Sequence, residues 1–281
     1  MLRLRGVRKA FGSNVAVDGL DLDVRDGELF GLLGPNGAGK TTTVGMAVGL
    51  LEPDRGAVEI GDLGAPTRPA TRRRIGVATQ ALALYEELSA EENVSFFGRI
   101  QGLRGRALSD GVDAALEFVR LSDRRKDPVR TYSGGMKRRL NLAVAMVHGP
   151  LLVLLDEPTV GVDPQSRNAI FENIQELQRR GRTIVYTTHY MEEAEKLCDR
   201  VGIIDHGKLL ALDTVPNLIA AHGGKTSVVA ELTDREVRIE TEDPVGELGR
   251  LQASGALLRF RVERPDLERV FLNLTGRHLR D

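Results

Sequence analysis

The run Gly34-Pro35-Asn36-Gly37-Ala38-Gly39-Lys40-Thr41 has the spacing G-x-x-x-x-G-K-[ST], whose chemistry is phosphate binding. Glycines let backbone amides close around phosphate oxygens. A helix starting at the lysine adds the positive end of its dipole, and the lysine itself reaches the terminal phosphates. The Thr41 hydroxyl can serve Mg²⁺, and Thr42 continues the same turn. Farther on, the apolar run Leu151 to Leu155 ends in Asp156-Glu157, two carboxylates at the edge of a parallel sheet where ligands bind. Asp156 is expected to hold the Mg²⁺ shell, and Glu157 to polarise a water attacking a γ-phosphorus. Ser133-Gly134-Gly135 at a helix start offers a hydroxyl, close backbone approach and outward amides, which suit a second phosphate contact.

These residues need a scaffold, and the hydrophobic pattern supplies one. Period-two alternation in the first 60 residues, as in Leu20-Asp-Leu22-Asp-Val24, predicts short strands, several antiparallel. Glu28 to Leu33 reads as the strand before the phosphate loop, and Lys40 to Leu51 as the helix after it. Ser89-Ala-Glu-Glu92 is a capping box opening a helix through about Gln101. Val112, Ala115, Leu116 and Val119 predict a second helix from about Gly111 to Leu121. Residues from about 83 to 150 therefore read as mostly helical.

Leu151 to Leu155, Thr183 to Thr187 and Val201 to Ile204 read as buried strands separated by helices at about Pro164 to Arg180 and Met191 to Asp199. The expected class is α/β, a doubly wound, mainly parallel sheet of the P-loop type with antiparallel N-terminal strands. His206-Gly207 suggests a tight hairpin turn into Lys208 to Leu212. A main domain over residues 1–212 and a small α+β domain over residues 213–281 are expected. The latter has a short helix near Asn217, alternation at Glu236 to Glu240, and a last helix with Leu267, Val270, Phe271 and Leu274 on one face.

Composition narrows the function classes. Among 281 residues, 39 basic and 40 acidic side chains leave a formal charge of -1, so no global field favours nucleic acid or anionic lipid, and no nucleic-acid partner is expected. Arg72-Arg-Arg74 and Arg124-Arg-Lys126 read as solvated faces. The single cysteine, Cys198, cannot form an internal disulfide and reads as a small buried hydrophobe in a reducing compartment. No signal peptide is legible, and Leu140 to Leu155, free of acidic and basic residues, is broken by Asn141, His148, Gly149 and Pro150, so no membrane span is expected. His148, His189, His206, His222 and His278 lack zinc-ligand spacing.

Taken jointly, the phosphate loop, Gln80, Ser133-Gly134-Gly135, Leu151 to Glu157, Gly161-Val162-Asp163 and His189 stand in the order and spacing of an ATP-binding-cassette (ABC) transporter ATPase, which residues 1–212 resemble. That resemblance implies ATP as substrate, with Phe11 stacking on adenine, Gln80 linking Mg²⁺ and the γ-phosphate to the transporter interface, and His189 as the switch histidine. It also implies that Asp163 lies in a loop crossing between two subunits. Tyr132 and Met136 replace the usual Leu and Gln, Phe11 the commoner Tyr and Val162 the commoner Leu, departures that bear on subtype and rate.

With one phosphate loop and one Ser-Gly-Gly segment per chain, the resemblance implies a second cassette, a homodimer with ATP between the two. It further implies a separate membrane permease docking after Gln80, around Tyr85 to Ser89, and a location on the cytoplasmic membrane face. The helix from Pro265 to Arg277 resembles the tail of exporters of drugs, antibiotics and other lipophilic cargo. Two rival readings stay open. One is an ABC ATPase acting on DNA or ribosomes, disfavoured without a coiled-coil insertion or tandem cassette. The other is a non-hydrolytic ATP-binding scaffold, which Glu157 argues against.

Overall fold

The computed structural model describes residues 1–276, so Arg277 and His278 lie outside it. In chain order the elements are β1 (Leu2–Phe11), β2 (Asn14–Val24), β3 (Leu29–Leu33), α1 (Lys40–Ala47), β4 (Arg55–Ile60), α2 (Pro69–Arg72), β5 (Ile75–Ala78), α3 (Ala90–Ile100), α4 (Gly105–Phe118) and α5 (Gly134–Met146). They continue with β6 (Leu152–Asp156), α6 (Pro164–Arg179), β7 (Thr183–Thr188), α7 (Met191–Leu197), β8 (Arg200–Asp205), β9 (Lys208–Thr214), α8 (Val215–His222), β10 (Thr226–Leu232), β11 (Glu236–Thr241), α9 (Pro244–Ala253), β12 (Leu257–Glu263) and α10 (Leu267–Thr275). Two compact units result, residues 1–212 and residues 213 onward.

In the first unit, β2, β1 and β4 form an antiparallel sheet in that order. The second sheet runs β5-β6-β7-β3-β8-β9, and its first five strands are parallel. Every residue of β3, β6 and β7 is buried, which accounts for their mainly apolar or β-branched composition, with Asp156 ending β6. The β8–β9 hairpin turns on His206 and Gly207, both with positive φ, as a two-residue turn matched to strand twist requires. The parallel order sends the C-terminal ends of β3, β6 and β7 to one edge. The phosphate loop, Asp156-Glu157 and His189 all leave from that edge.

Three helices of the first unit differ in extent from the sequence expectation. α1 stops at Ala47 instead of Leu51, because Gly49 turns left-handed and the Leu50 and Leu51 amides both return to the Gly45 carbonyl. α4 runs from Gly105 to Phe118, not Gly111 to Leu121. Its apolar stripe marked only the buried face, whereas left-handed Arg120 and the Leu121 amide on the Leu116 carbonyl close the end. α7 ends at Leu197 because Cys198 is extended and the Asp199 amide already bonds the Leu29 carbonyl. Cys198 is only partly buried as a residue, although burial of its sulfur pushes the thiol pKa far up. The Ser89 capping box forms as expected, with both reciprocal bonds present.

The second unit is an antiparallel sheet ordered β11-β10-β12 with α8, α9 and α10. α10 buries Leu267, Val270 and Phe271, starts on an Asp266 cap and stops at left-handed Gly276, while Leu274 is only partly buried. No helix among the described residues is long and apolar enough to cross a membrane.

Candidate functional site

The phosphate loop joins the end of β3 to α1. Gly39 precedes the helix with φ 105°, and a Cβ there would lie 2.4 Å from the Ala16 carbonyl oxygen, so only glycine fits. No side chain caps α1, which leaves its first amides for an anion. Lys40 is 5% exposed, and its Nζ donates to the carbonyls of Gly34 at 2.7 Å and Pro35 at 3.1 Å. It also stands 3.1 Å from Glu157 Oε1.

Glu157 is the hub. It follows β6 directly, is 5% exposed, and has φ 47°, a left-handed backbone unusual for a residue with a side chain. Thr187 fixes this conformation: the Glu157 amide donates to both the Oγ1 and the carbonyl oxygen of Thr187. The Thr187 hydroxyl in turn donates to Asp156 Oδ1 at 2.6 Å, so one buried threonine holds the Asp156 carboxylate and the Glu157 backbone together. Beyond Lys40, the Glu157 carboxylate has His189 Nδ1 3.2 Å from Oε1 and Gln80 Nε2 3.2 Å from Oε2. Burial is the largest influence on its pKa and pushes it up. The hydrogen bond and charge of Lys40, together with His189, outweigh burial and hold the carboxyl below its ordinary range. An ionised carboxylate only accepts, so His189 carries its proton on Nδ1.

A cavity of about 410 Å³ lies over the loop. Its walls include Phe11, Asn36, Gly37, Gly39, Lys40, Thr41, Thr42, Gln80 and Glu157, bringing together most of the residues singled out from sequence. Phe11, 50% exposed at the end of β1, offers an aromatic face at the rim. Gly34 and Ala38 are buried beneath the loop, Pro35 is half-buried, and Asp156 is buried at the end of β6. The donors available to a cation are the Thr41 hydroxyl, the Asp156 carboxylate and the Gln80 amide oxygen, whose nitrogen is committed to Glu157. Such hard oxygen donors suit Mg²⁺.

His189 meets this cavity only through its contact with Glu157, and four other singled-out residues stand farther apart. Ser133, Gly134, Gly135 and Asp163 do not line this cavity. Ser133 caps α5 by accepting from the Met136 amide, and Asp163 caps α6 by accepting from Ser166. Ser133, Gly134 and Asp163 are exposed, while Gly135 packs against Ser166. The hydrogen bonds of Ser166 hold the exposed Asp163 carboxyl below its ordinary range.

Sequence reasoning missed several members. Asn14, Val15, Ala16 and His206 also line the cavity, placed there by strand pairing that no local spacing reveals. Arg138 on α5 donates to the carbonyls of Gln80 and Val160, joining the Gln80 loop to the segment after Glu157. Burial lowers the pKa of that guanidinium, and the Glu157 charge opposes the effect. Arg138 stands in the basic run Lys137-Arg138-Arg139, and that run does not tell which of the three side chains turns inward.

Residues 17–160 match the family model described as ABC transporter. The chain is 40% identical over 312 residues to the linearmycin resistance ATP-binding protein of Bacillus subtilis, with 100% of each chain covered. It is 41% identical over 302 residues to the Nod factor export ATP-binding protein I of Cupriavidus metallidurans, covering 100% of this chain and 99% of the relative. Among solved structures, an ATP binding subunit of an ABC transporter superposes with a TM-score of 0.71 at 29% identity, covering 79% of this chain and 93% of that one. Phosphate loop, strand-end carboxylates and the histidine facing them thus sit in a chain that matches these proteins over its length, and the chain belongs to the ABC transporter family.

Proposed function

We propose that this chain is the ATP-hydrolysing subunit of an ABC exporter, working as a pair of identical cassettes under a separate membrane permease. The observation that carries the catalytic reading is the convergence of Lys40, Gln80 and His189 on the Glu157 carboxylate at the floor of the phosphate-loop cavity. Terminal phosphates entering the loop compete with Glu157 for the Lys40 ammonium. Glu157 is then left to His189 and Gln80 as the acceptor for a proton of the attacking water. Bound Mg²⁺, held by Thr41, Asp156 and Gln80, would neutralise charge on the β- and γ-phosphates. Phe11 stacks on the adenine, and His189 keeps the Glu157 carboxylate aimed at the γ-phosphorus.

The separation of Ser133-Gly134-Gly135 from the loop supports the pairing. Exposed Ser133 and Gly134 at the start of α5 suit the phosphates of a partner's ATP, with Asp163 in the segment that crosses between subunits. The export direction is supported by relatives named for linearmycin resistance and Nod factor export, and it points to a lipophilic cargo selected by the permease. For permease docking, exposed Tyr85 stacks edge-on against Phe96 with ring centroids 5.1 Å apart. Nearby, a groove of about 220 Å³ lined by Leu50, Val77, Ala83, Phe97, Val144 and His148 suits an apolar segment of that partner. Docking there would place the chain at the cytoplasmic membrane face and transmit motion through Gln80.

Mixing Ser133→Arg and Lys40→Ala subunits tests the shared site. In a mixed dimer one intact loop faces one intact Ser-Gly-Gly segment, so the mixture should hydrolyse ATP faster than either variant alone. A mixture whose subunits exchange yet shows no gain contradicts the pairing.

A further inference from the structure

Behind the catalytic residues lies a second buried carboxylate, Glu193 of α7, which is only 2% exposed. Burying a carboxylate is costly unless its oxygens are well partnered, and here three hydroxyls supply the partners. Thr159 Oγ1 donates at 2.8 Å, Tyr186 OH at 2.6 Å and Thr188 Oγ1 at 2.9 Å. All three donors are fully or almost fully buried. Burial and the Glu193 charge keep the Tyr186 phenol protonated far above its ordinary range, so it remains a donor. Arg167 of α6 adds its charge, with Nε 3.6 Å from Glu193 Oε1.

The donors come from places that matter for hydrolysis. Thr159 lies in the segment that starts at Glu157 and runs to Asp163, while Thr188 immediately precedes His189. Glu157 and His189 also touch each other directly through Oε1 and Nδ1. The two segments are therefore closed into a ring, joined on the cavity side by Glu157–His189 and on the far side by Thr159–Glu193–Thr188. Arg167 extends the ring: its amide bonds the Asp163 carbonyl and its guanidinium stacks on Tyr190, next to His189. The left-handed backbone of Glu157 persists only where its surroundings over-determine it. A clamp two residues farther on adds to the constraint that Thr187 places on the Glu157 amide.

We propose that Glu193 is a positioning residue, tying the Glu157-to-Asp163 segment to the His189 loop so that they move as one body in each hydrolytic cycle. It touches no substrate and acts through His189 and Glu157. An apolar side chain would fill the same space more cheaply, but it would leave the hydroxyls of two loops unlinked.

The test uses Thr159→Val, which is nearly isosteric and leaves Glu193 two donors, alongside Glu193→Gln. In the full-length protein both should lower kcat for ATP about tenfold with KM within about twofold, since geometry and not nucleotide binding is lost. Thr159→Val is then repeated in a His189→Ala background, with radiolabelled ATP to read the slow turnover. The proposal expects no further loss there, because the hydroxyl acts through the histidine loop. Equal fold-losses in both backgrounds, kcat within twofold of wild type in both single variants, or a loss confined to KM would each overturn it.

Discussion

Lys40 Nζ lies 3.1 Å from Glu157 Oε1, so the lysine expected to hold phosphate and the carboxylate expected to accept a proton are directly paired in a buried site. Removing the lysine alone leaves a buried carboxylate short of its counter-charge. Lys40→Ala should lose stability by about 3 kcal/mol at neutral pH, with loss of ATP binding. Lys40→Ala/Glu157→Gln should recover most of the stability and none of the activity. Thermal unfolding of the two variants checks this, and equal midpoints would contradict the pairing.

The same pair sets a pH dependence. The folded-state pKa of Glu157 is below its ordinary value of 4.5, so its contribution to stability is fully present above that value and is lost as pH falls through the depressed one. Wild type should therefore lose stability faster than Glu157→Gln as pH drops below about 4.5, a crossing visible in denaturant titrations at several pH values. Parallel curves would show that the carboxyl is not held down.

Neighbouring glycines of the Ser-Gly-Gly segment should respond differently. A Cβ on Gly134 finds nothing nearer than the Gly161 carbonyl at 4.0 Å, whereas one on Gly135 would sit 2.0 Å from Ser166 Oγ. Gly135→Ala should cost about 1–3 kcal/mol by overpacking the start of α6. Gly134→Ala should fold normally yet hydrolyse ATP slowly, because in the proposed pair its new methyl would face the partner's nucleotide. Normal turnover by stable Gly134→Ala would place the partner's phosphates elsewhere.

Much of this was legible in the chain because the chemistry is local. The loop from Gly34 to Thr42 and the strand-end pair Asp156-Glu157 are contiguous, and buried parallel strands carry unbroken apolar runs such as Leu151 to Leu155. The Ser89 box likewise encodes its own helix start within four residues. What escaped depends on distant pairing. Thr187 holds the Asp156 carboxylate and the Glu157 amide only because β6 and β7 lie side by side, with Asp156 opposite Thr187 in the register. Glu193 is one of several glutamates in Met191-Glu-Glu-Ala-Glu195, and spacing alone does not tell the buried one from its exposed neighbours. The ends of α1 and α4 escaped for another reason: apolar periodicity reports the buried face and not the left-handed cap that stops a helix.

Steady-state ATPase activity of Glu157→Gln, measured beside ATP binding and dimer formation, bears most directly on the assignment of Glu157 as the proton acceptor. The amide keeps the shape and neutral contacts of the site but cannot take a proton. Turnover should fall about a hundredfold or more while ATP is retained and closed dimers accumulate. Turnover at the wild-type rate would contradict the account.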